Sequence, residues 1–465
     1  MRLRPRAGLF LCALSSLACA GGSSGAGAGA GGGNADRQAL VGLIDSIVSQ
    51  PISDGKAAGA AIMVVKGNDT IAYQGFGKAD LEWDVPMHHD AVFEIGSVTK
   101  QFTGAAIMQL VEQGKVDLDA DVSAYIDFPT KGRKIPVRRL LDHTSGIRGY
   151  TETPSLRARF RDDLPPDSIL ALVAKEPFDF EPGEQEIYNN SAFFLAGRII
   201  EKVSGLTYAD YLKQNLFDKV GMDRTSYCSV TKVVKQRAHG YEPDSAGLNV
   251  KGYISHSWPY AAGSLCSTVG DLLKWNRALH AGQVLGPEAY AELIRPGTLN
   301  DGTTLRYAKG LALTDLAGRR AIWHDGGING FISLNRYLPD DSLHVIVLWN
   351  SANEGLDVGE AIIEAVLGKK TAEGQAFEGD LGQFAGEWKG IGRGQPMEMT
   401  VAVDSAGNLT TQMKGSKELD TLRHVGGDEF HVGQTRAILK FDRTNGVPSR
   451  LRFDMGYAYL LLTRN

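Results

Sequence analysis

Apolar residues recur three and four apart at Leu40, Leu43, Ile44, Ile47 and Val48, which predicts a helix over residues 36–49. The pattern then shortens. Residues 59–65 form a near-continuous apolar run, Lys66-Gly67-Asn68-Asp69 reads as a turn, and 70–76 completes a hairpin. A second helical stripe follows at Phe102, Ala105, Ala106, Met108 and Leu110, with a stop at Gly114. From about 115 to 300 the chain is irregular and helical, with clear helices over 192–203 and 271–279. Strands return at 331–337 and 343–348 around Pro339-Asp340-Asp341, and a helix over 358–367 stops at Gly368. Strands and helices at both ends with a helical insert between them predict an α/β (α+β) fold, a sheet flanked by helices beside a helical domain. A cleft between two such parts is where a site is expected.

After about residue 375 the texture changes. Short strands at 397–403, 409–413, 419–424, 429–432, 437–441 and 451–462 are separated by turn signals such as Thr444-Asn445-Gly446. They predict a separate all-β domain, a small barrel, over 377–465.

Composition narrows the partners. The chain has 465 residues, 43% hydrophobic and 22% charged, an ordinary globular balance. Its net charge of −5, with no long run of one sign, argues against a nucleic-acid partner. The first twenty residues read as a signal peptide. Arg2, Arg4 and Arg6 precede an apolar stretch too short to span a bilayer, and Ala18-Cys19-Ala20 fits a cleavage site. Leu17-Ala18-Cys19 also reads as an imperfect lipoprotein signal, so a lipid tether at Cys19 stands beside simple cleavage. Either route predicts export, to the periplasm, a membrane surface or the medium. Residues 21–35 form a Gly/Ser/Ala linker before a main domain over 36–370. Its Gly21-Gly22-Ser23-Ser24-Gly25 matches the G-x-S-x-G elbow by letters alone, with no strand before it and no helix after. Cys228 and Cys266 are the two cysteines of the folded part. A bridge and two buried thiols both fit them, and they make no metal-ligand spacing.

The chemistry begins at Ser97-Val98-Thr99-Lys100. Residues three apart share a helix face, so the Lys100 amine reaches the Ser97 hydroxyl. A serine is a weak nucleophile until a base takes its proton, and a lysine serves once burial lowers its pKa. The same four letters recur at Ser229-Val230-Thr231-Lys232. The first copy follows Phe93-Glu94-Ile95-Gly96 and opens the Phe102 stripe; the second has no stripe and reads as surface. Tyr188-Asn189-Asn190 supplies a second proton carrier and an amide for a substrate carbonyl. Of the fifteen tyrosines only Tyr188 has an asparagine two positions on. The plain alternative is that Tyr188 packs on the following helix and Asn190 caps it. His324-Asp325-Gly326-Gly327 follows a strand-like Ala321-Ile322-Trp323, and its glycines admit a substrate backbone, with the Gly327 N–H as an oxyanion donor. His-x-Gly recurs at His280, His424 and His431, and a buried structural histidine is the bland reading of His324.

Taken in order, these three motifs resemble those of the serine β-lactamase and penicillin-binding-protein superfamily, in its class C β-lactamase, D-Ala-D-Ala carboxypeptidase and esterase branch. Leu141-Asp142-His143-Thr144-Ser145-Gly146-Ile147 and Ala262-Gly263-Ser264-Leu265-Cys266-Ser267-Thr268 add to the likeness, which covers about residues 40–368. The resemblance implies an acyl-enzyme at Ser97, with Lys100 and Tyr188 moving protons and the Ser97 and Gly327 N–H groups holding the oxyanion. Asn190, His324 and Gly326 would bind substrate, a small molecule or peptide, and His143 would be structural. It implies no metal and no organic cofactor. His324 stands where a lysine is common, and a mostly neutral histidine implies weak β-lactamase activity at most. Related chains with a histidine motif and an added β domain look like D-specific peptidases, amidases or esterases. The competing reading is a penicillin sensor or binding module that acylates without turnover; no transmembrane signalling segment follows the domain, which counts against it. A catalytically silent protein is a third, against which the intact Ser, Lys, Tyr and Asn weigh. The barrel's role stays open between covering the cleft and making dimer or wall contacts.

Overall fold

The computed structural model describes residues 32–353, 357–368, 374–392, 395–433, 437–455 and 458–464. The export segment 1–20, Cys19 and the Gly21–Gly25 match lie outside the described residues. Met1–Ala39 and Leu40–Asn465 are two compact units. Of the first, the described part is the beginning of the helix Gly32–Ser53. That helix starts inside the segment expected to be linker, because apolar periodicity marks only a packing face and not the turns that precede it.

Within the second unit, seven strands form an antiparallel sheet. Their order is Ala312–Leu316, Arg319–Ile328, Phe331–Leu338, Leu343–Trp349, Gly59–Lys66, Asp69–Asp80 and Val85–Pro86. The two predicted hairpins are therefore joined at the sheet's centre, with Ala60 opposite Trp349 and Lys66 opposite Leu343. Alternate side chains of a strand face opposite sides. Ala60, Ile62 and Val64 enter a core with Ile44, Val48, Ile362 and Ile363, while Ala61, Met63 and Val65 enter another with Phe102, Phe193 and Trp258. Both faces are covered by helices, which is why residues 59–65 read as an unbroken apolar run and not as an alternation.

The second core lies under the helical part, which includes the helices Thr99–Glu112, Asn190–Ser204 and Val269–His280. Cys228 and Cys266 are joined as a disulfide, which settles the choice the spacing left open. The bridge fastens the end of the strand Ser226–Tyr227 to the strand Leu265–Ser267.

The C-terminal part is an eight-stranded antiparallel barrel. It runs from Gly386–Gly392 to Ala458–Arg464, and these two strands close it with Trp388 opposite Arg464. It holds its own core of Phe384, Trp388, Phe430, Leu439, Phe441 and Leu462 among others. The structure departs from the sequence expectation at two strands. Gly386–Gly392 carries three glycines in seven residues, which hides it from a β-propensity reading. The span 451–462 is two strands, Val447–Asp454 and Ala458–Arg464, paired so that Leu451 faces Leu462. Apolar residues on both sides of the break disguise it as one run.

Candidate active site

Ser97 is set by a strand, a turn and a helix in quick succession. Phe93–Glu94 pairs with Leu265–Ser267, and Ile95 N donates to Leu265 O at 2.9 Å. Gly96 then turns at φ 49°, a 3₁₀ turn covers Gly96–Val98, and the α-helix starts at Thr99. Sequence places Ser97 at the helix start; the structure puts it in the tighter 3₁₀ turn, where side chains three apart eclipse. Among residues 91–100, Ser97 alone is not fully buried.

The turn lies against the strand Arg319–Ile328. A Cβ on Gly96 would stand 2.8 Å from Gly327 O. One on Gly326 would collide with Ile95 O and stand 3.0 Å from Ser97 N. Both positions therefore require glycine, by close backbone approach and, at Gly96, by a left-handed φ. The neighbouring strand Ala312–Leu316 pairs only as far as Ala312 opposite Trp323. Beyond that point the Ser97 turn runs alongside Gly326.

Lys100 is 0% exposed. Its Nζ donates to Asn190 Oδ1 at 2.7 Å and Ala262 O at 2.8 Å, and lies 3.1 Å from Ser97 Oγ. It also stands 4.6 Å from the centroid of the Tyr188 ring. Burial drives its pKa well below the usual lysine range, and the Glu152 charge opposes this less strongly. A neutral amine has two N–H groups and one lone pair. Asn190 Oδ1 and Ala262 O take the two N–H groups, and the lone pair is left facing Ser97 Oγ. Three acceptors also satisfy an ammonium; burial without a bonded carboxylate among the described residues favours the amine over it.

Tyr188 and Asn189 sit on a loop that enters the helix Asn190–Ser204, whose first residue is the second asparagine. The cap is Asn189, whose Oδ1 accepts from Ala192 N at 2.8 Å. Asn190 is thereby free of the capping role: its Oδ1 serves Lys100 and its Nδ2 donates to Thr151 Oγ1 at 3.1 Å. His143 braces this loop. Its carbonyl accepts from Ile187 N at 3.0 Å, its Nδ1 accepts from Asn189 N at 3.1 Å, and its ring lies 4.5 Å from that of Tyr188.

His324 is 5% exposed, with Nε2 at 2.8 Å from Tyr307 Oη and Nδ1 at 2.5 Å from Asp325 O. Burial and then Lys100 lower its pKa to about 3, against a smaller opposing effect of the Asp325 carbonyl. The ring is neutral and both its nitrogens are engaged. It sits behind the site, 6.1 Å from the Tyr188 ring.

A cavity of about 150 Å³ opens at Ser97. Asn190, Ala262 and Gly327 line it on the polar side; Tyr150, Phe160, Ile254 and Ile328 give it an apolar wall. Ser97 and Gly327 present adjacent backbone to it, the arrangement an oxyanion needs. Of the predicted residues, the structure gathers Ser97, Lys100, Tyr188, Asn190, Gly326 and Gly327 tightly and sets His324 one layer back. Sequence reasoning missed Thr151, Tyr307 and the Ala262 carbonyl as partners. The Ser229 copy lies on the surface, where Ser229 Oγ accepts from Thr231 N at 3.2 Å and Lys232 N at 3.0 Å.

Known proteins share this architecture. A D-aminopeptidase of Brucella anthropi is 29% identical over 339 residues, 72% of this chain and 64% of that protein. The chain thus spans less than two thirds of the first curated relatives it matches, 64% and 59%. The octameric penicillin-binding protein homologue from Pyrococcus abyssi superposes with a TM-score of 0.63 at 25% identity, over 90% of this chain and 99% of that one. The D-amino acid amidase from Ochrobactrum anthropi SV3 gives 0.61 at 26%, over 70% and 99%. A family model described as Beta-lactamase matches residues 44–368, which contain every residue of the cavity, and on that match the chain belongs to the beta-lactamase family.

Proposed function

We propose that this chain is an exported serine hydrolase that forms an acyl-enzyme at Ser97 on amides, peptides or esters of D-amino acids. The observation that carries the reading is the fully buried Lys100 Nζ 3.1 Å from Ser97 Oγ, with burial lowering its pKa. Lys100 takes the hydroxyl proton as Ser97 attacks the carbonyl carbon. The N–H groups of Ser97 and Gly327 hold the oxyanion. Tyr188, beside Lys100, passes the proton taken from Ser97 on to the leaving nitrogen or oxygen as the C–N or C–O bond breaks. Water then attacks the acyl carbon, giving its proton to the same pair, which returns it to Ser97 Oγ as the acid leaves. Asn190 orients Lys100 and bounds the cavity.

The substrate class rests on two supports. Relatives bear the names D-aminopeptidase and D-amino acid amidase. His324 offers no permanent cation, so a substrate carboxylate gains nothing at this position. That favours amides and esters over β-lactams, which carry such a carboxylate. The test is intact mass spectrometry after a fluorophosphonate, followed by turnover of D- and L-amino-acid amides, p-nitrophenyl esters and a chromogenic cephalosporin. One adduct on Ser97, absent from Ser97→Ala, with turnover of D-amides or esters, is expected. An adduct on Ser229 overturns the assignment, and acylation without turnover would make the chain a binding module.

A further inference from the structure

The segment that presents Tyr188 has little structure of its own. Between Phe180 and the helix at Asn190 only Glu186–Ile187 is a strand. His143 holds one side of it, as described. The other side is held by the barrel: the last barrel strand, Ala458–Arg464, pairs with it, Ala458 opposite Ile187 and Tyr459 opposite Glu186. Tyr188 is the next residue.

Three further contacts converge there. Phe180 and Ile187 share an apolar cluster with Leu460 of the barrel, and Leu299 and Leu305 share one with Tyr459. Arg306 donates from Nε to Asp454 Oδ2 at 2.7 Å and from Nη2 to Asp454 Oδ1 at 2.9 Å, a two-pronged pair between the hydrolase part and the barrel. Residue 307 follows Arg306 directly, and Tyr307 Oη meets His324 Nε2. The junction is dry beside Tyr188, where Ile187 and Leu460 are buried, while the Arg306 and Asp454 side chains at its edge are 21% and 20% exposed and line an open polar cavity. Glu186 is 1% exposed, and burial, then Asp454 and Asp142, push its carboxyl well above the usual range, against a smaller opposing effect of Arg306. Domains that only abut tend to keep wet, polar, mobile interfaces; this one is desolvated and hydrogen-bonded at the catalytic loop.

We propose that the C-terminal barrel is a positioning element of the active site, holding Tyr188 through the Ala458–Arg464 strand and Tyr307–His324 through the Arg306–Asp454 pair. The inference rests on the proposed role of Tyr188 as proton carrier. Arg306, Asp454 and Glu186 touch no reacting atom and act through their neighbours. A misplacement of about 1 Å in a catalytic group costs up to roughly 100-fold in rate.

The test uses the full chain with Asp454→Ala. A roughly 10- to 100-fold fall in kcat with KM within about twofold is expected, and Asp454→Asn should fall less. In a Tyr188→Phe background the same substitution should change the fluorophosphonate labelling rate of Ser97 by less than about twofold, because the positioned group is gone. Hydrogen exchange at the amides of Ile187 to Asn190 should accelerate in Asp454→Ala. An unchanged kcat, an equal loss in the Tyr188→Phe background, or unchanged exchange overturns the proposal. If Asp454→Ala fails to fold, Arg306→Lys and Asp454→Asn carry the same measurements with smaller effects. If wild-type protein neither labels at Ser97 nor turns over any ester or amide, the hydrolase reading fails separately, and hydrogen exchange still decides the barrel's role.

Discussion

Ser97-Val98-Thr99-Lys100 and Ser229-Val230-Thr231-Lys232 are the same four residues in one molecule, and they do opposite things. In the first, Lys100 is buried, and its amine is shared among Ser97, Asn190 and Ala262. In the second, Ser229 Oγ is occupied by N–H groups of its own turn, and Lys232 is exposed. The tetrapeptide supplies reach. What suits the first copy to the proposed role of nucleophile is desolvation, two acceptors from distant segments and a glycine-lined approach to a strand. None of these belongs to the four letters.

The two copies should differ most at their serines. Ser97→Ala should abolish fluorophosphonate labelling and lower kcat/KM by at least ~10⁴-fold, while Ser229→Ala stays within about twofold. The lysines come next. Lys100→Met should cost roughly 10²–10⁴ in kcat, and Lys232→Met nothing measurable. The wild-type rate should fall as pH drops through the lowered Lys100 pKa, because the protonated amine accepts no proton. Stability carries the same sign. Between the lowered folded pKa and the unfolded value of 10.5, the unfolded chain binds one more proton, so this contribution rises with pH by up to about 1.4 kcal/mol per unit. It is full above 10.5 and lost as pH falls through the folded pKa. Denaturant midpoints of wild type and Lys100→Met across pH check it, and the variant should be flatter.

A smaller effect is expected at Gly326, which tests the glycine-lined approach. Gly326→Ala puts a methyl group against Ile95 O and Ser97 N, so the strand must move off the turn. A loss of roughly 1–3 kcal/mol in stability, read from denaturant midpoints, should accompany a fall in kcat. This position was legible in the sequence as part of a motif, but its reason was not. The letters pointed to room for a substrate; the structure puts the Ser97 turn itself in that space. Asn190 shows the same limit. It was found as a candidate, yet nothing in Tyr188-Asn189-Asn190 says which asparagine caps the helix and which serves Lys100. Ala262 contributes a main-chain oxygen, which leaves no trace in residue type. The pairing of Glu186–Ile187 with the last barrel strand is a two-residue contact between distant segments, below anything periodicity detects. What was legible is what repeats locally: the apolar run at 59–65, the i, i+3 spacing of Ser97 and Lys100, and most barrel strands.

The disulfide joins the two copies. Cys228 immediately precedes Ser229, and Cys266 lies on the strand that follows Ala262, the residue that holds Lys100. If the bridge served the site, breaking it would loosen Lys100. The hydrogen bonds argue otherwise. Ala262 lies in the short helix Tyr260–Gly263, Ser264 N donates to Tyr260 O at 2.9 Å, and Ser264 Oγ donates to His256 O at 2.7 Å. Leu265–Ser267 is also paired with Phe93–Glu94 on the Ser97 side, through backbone contacts that do not run through the bridge. The strand freed by reduction is Ser226–Tyr227, on the side of the second copy. Closing a span of 38 residues, the bridge should contribute roughly 2–4 kcal/mol to stability. The Cys228→Ser/Cys266→Ser variant should therefore lose that stability in denaturant while its kcat stays within about twofold. A kcat that falls with the midpoint would mean that the surface copy, inert in its own chemistry, holds the active one in place.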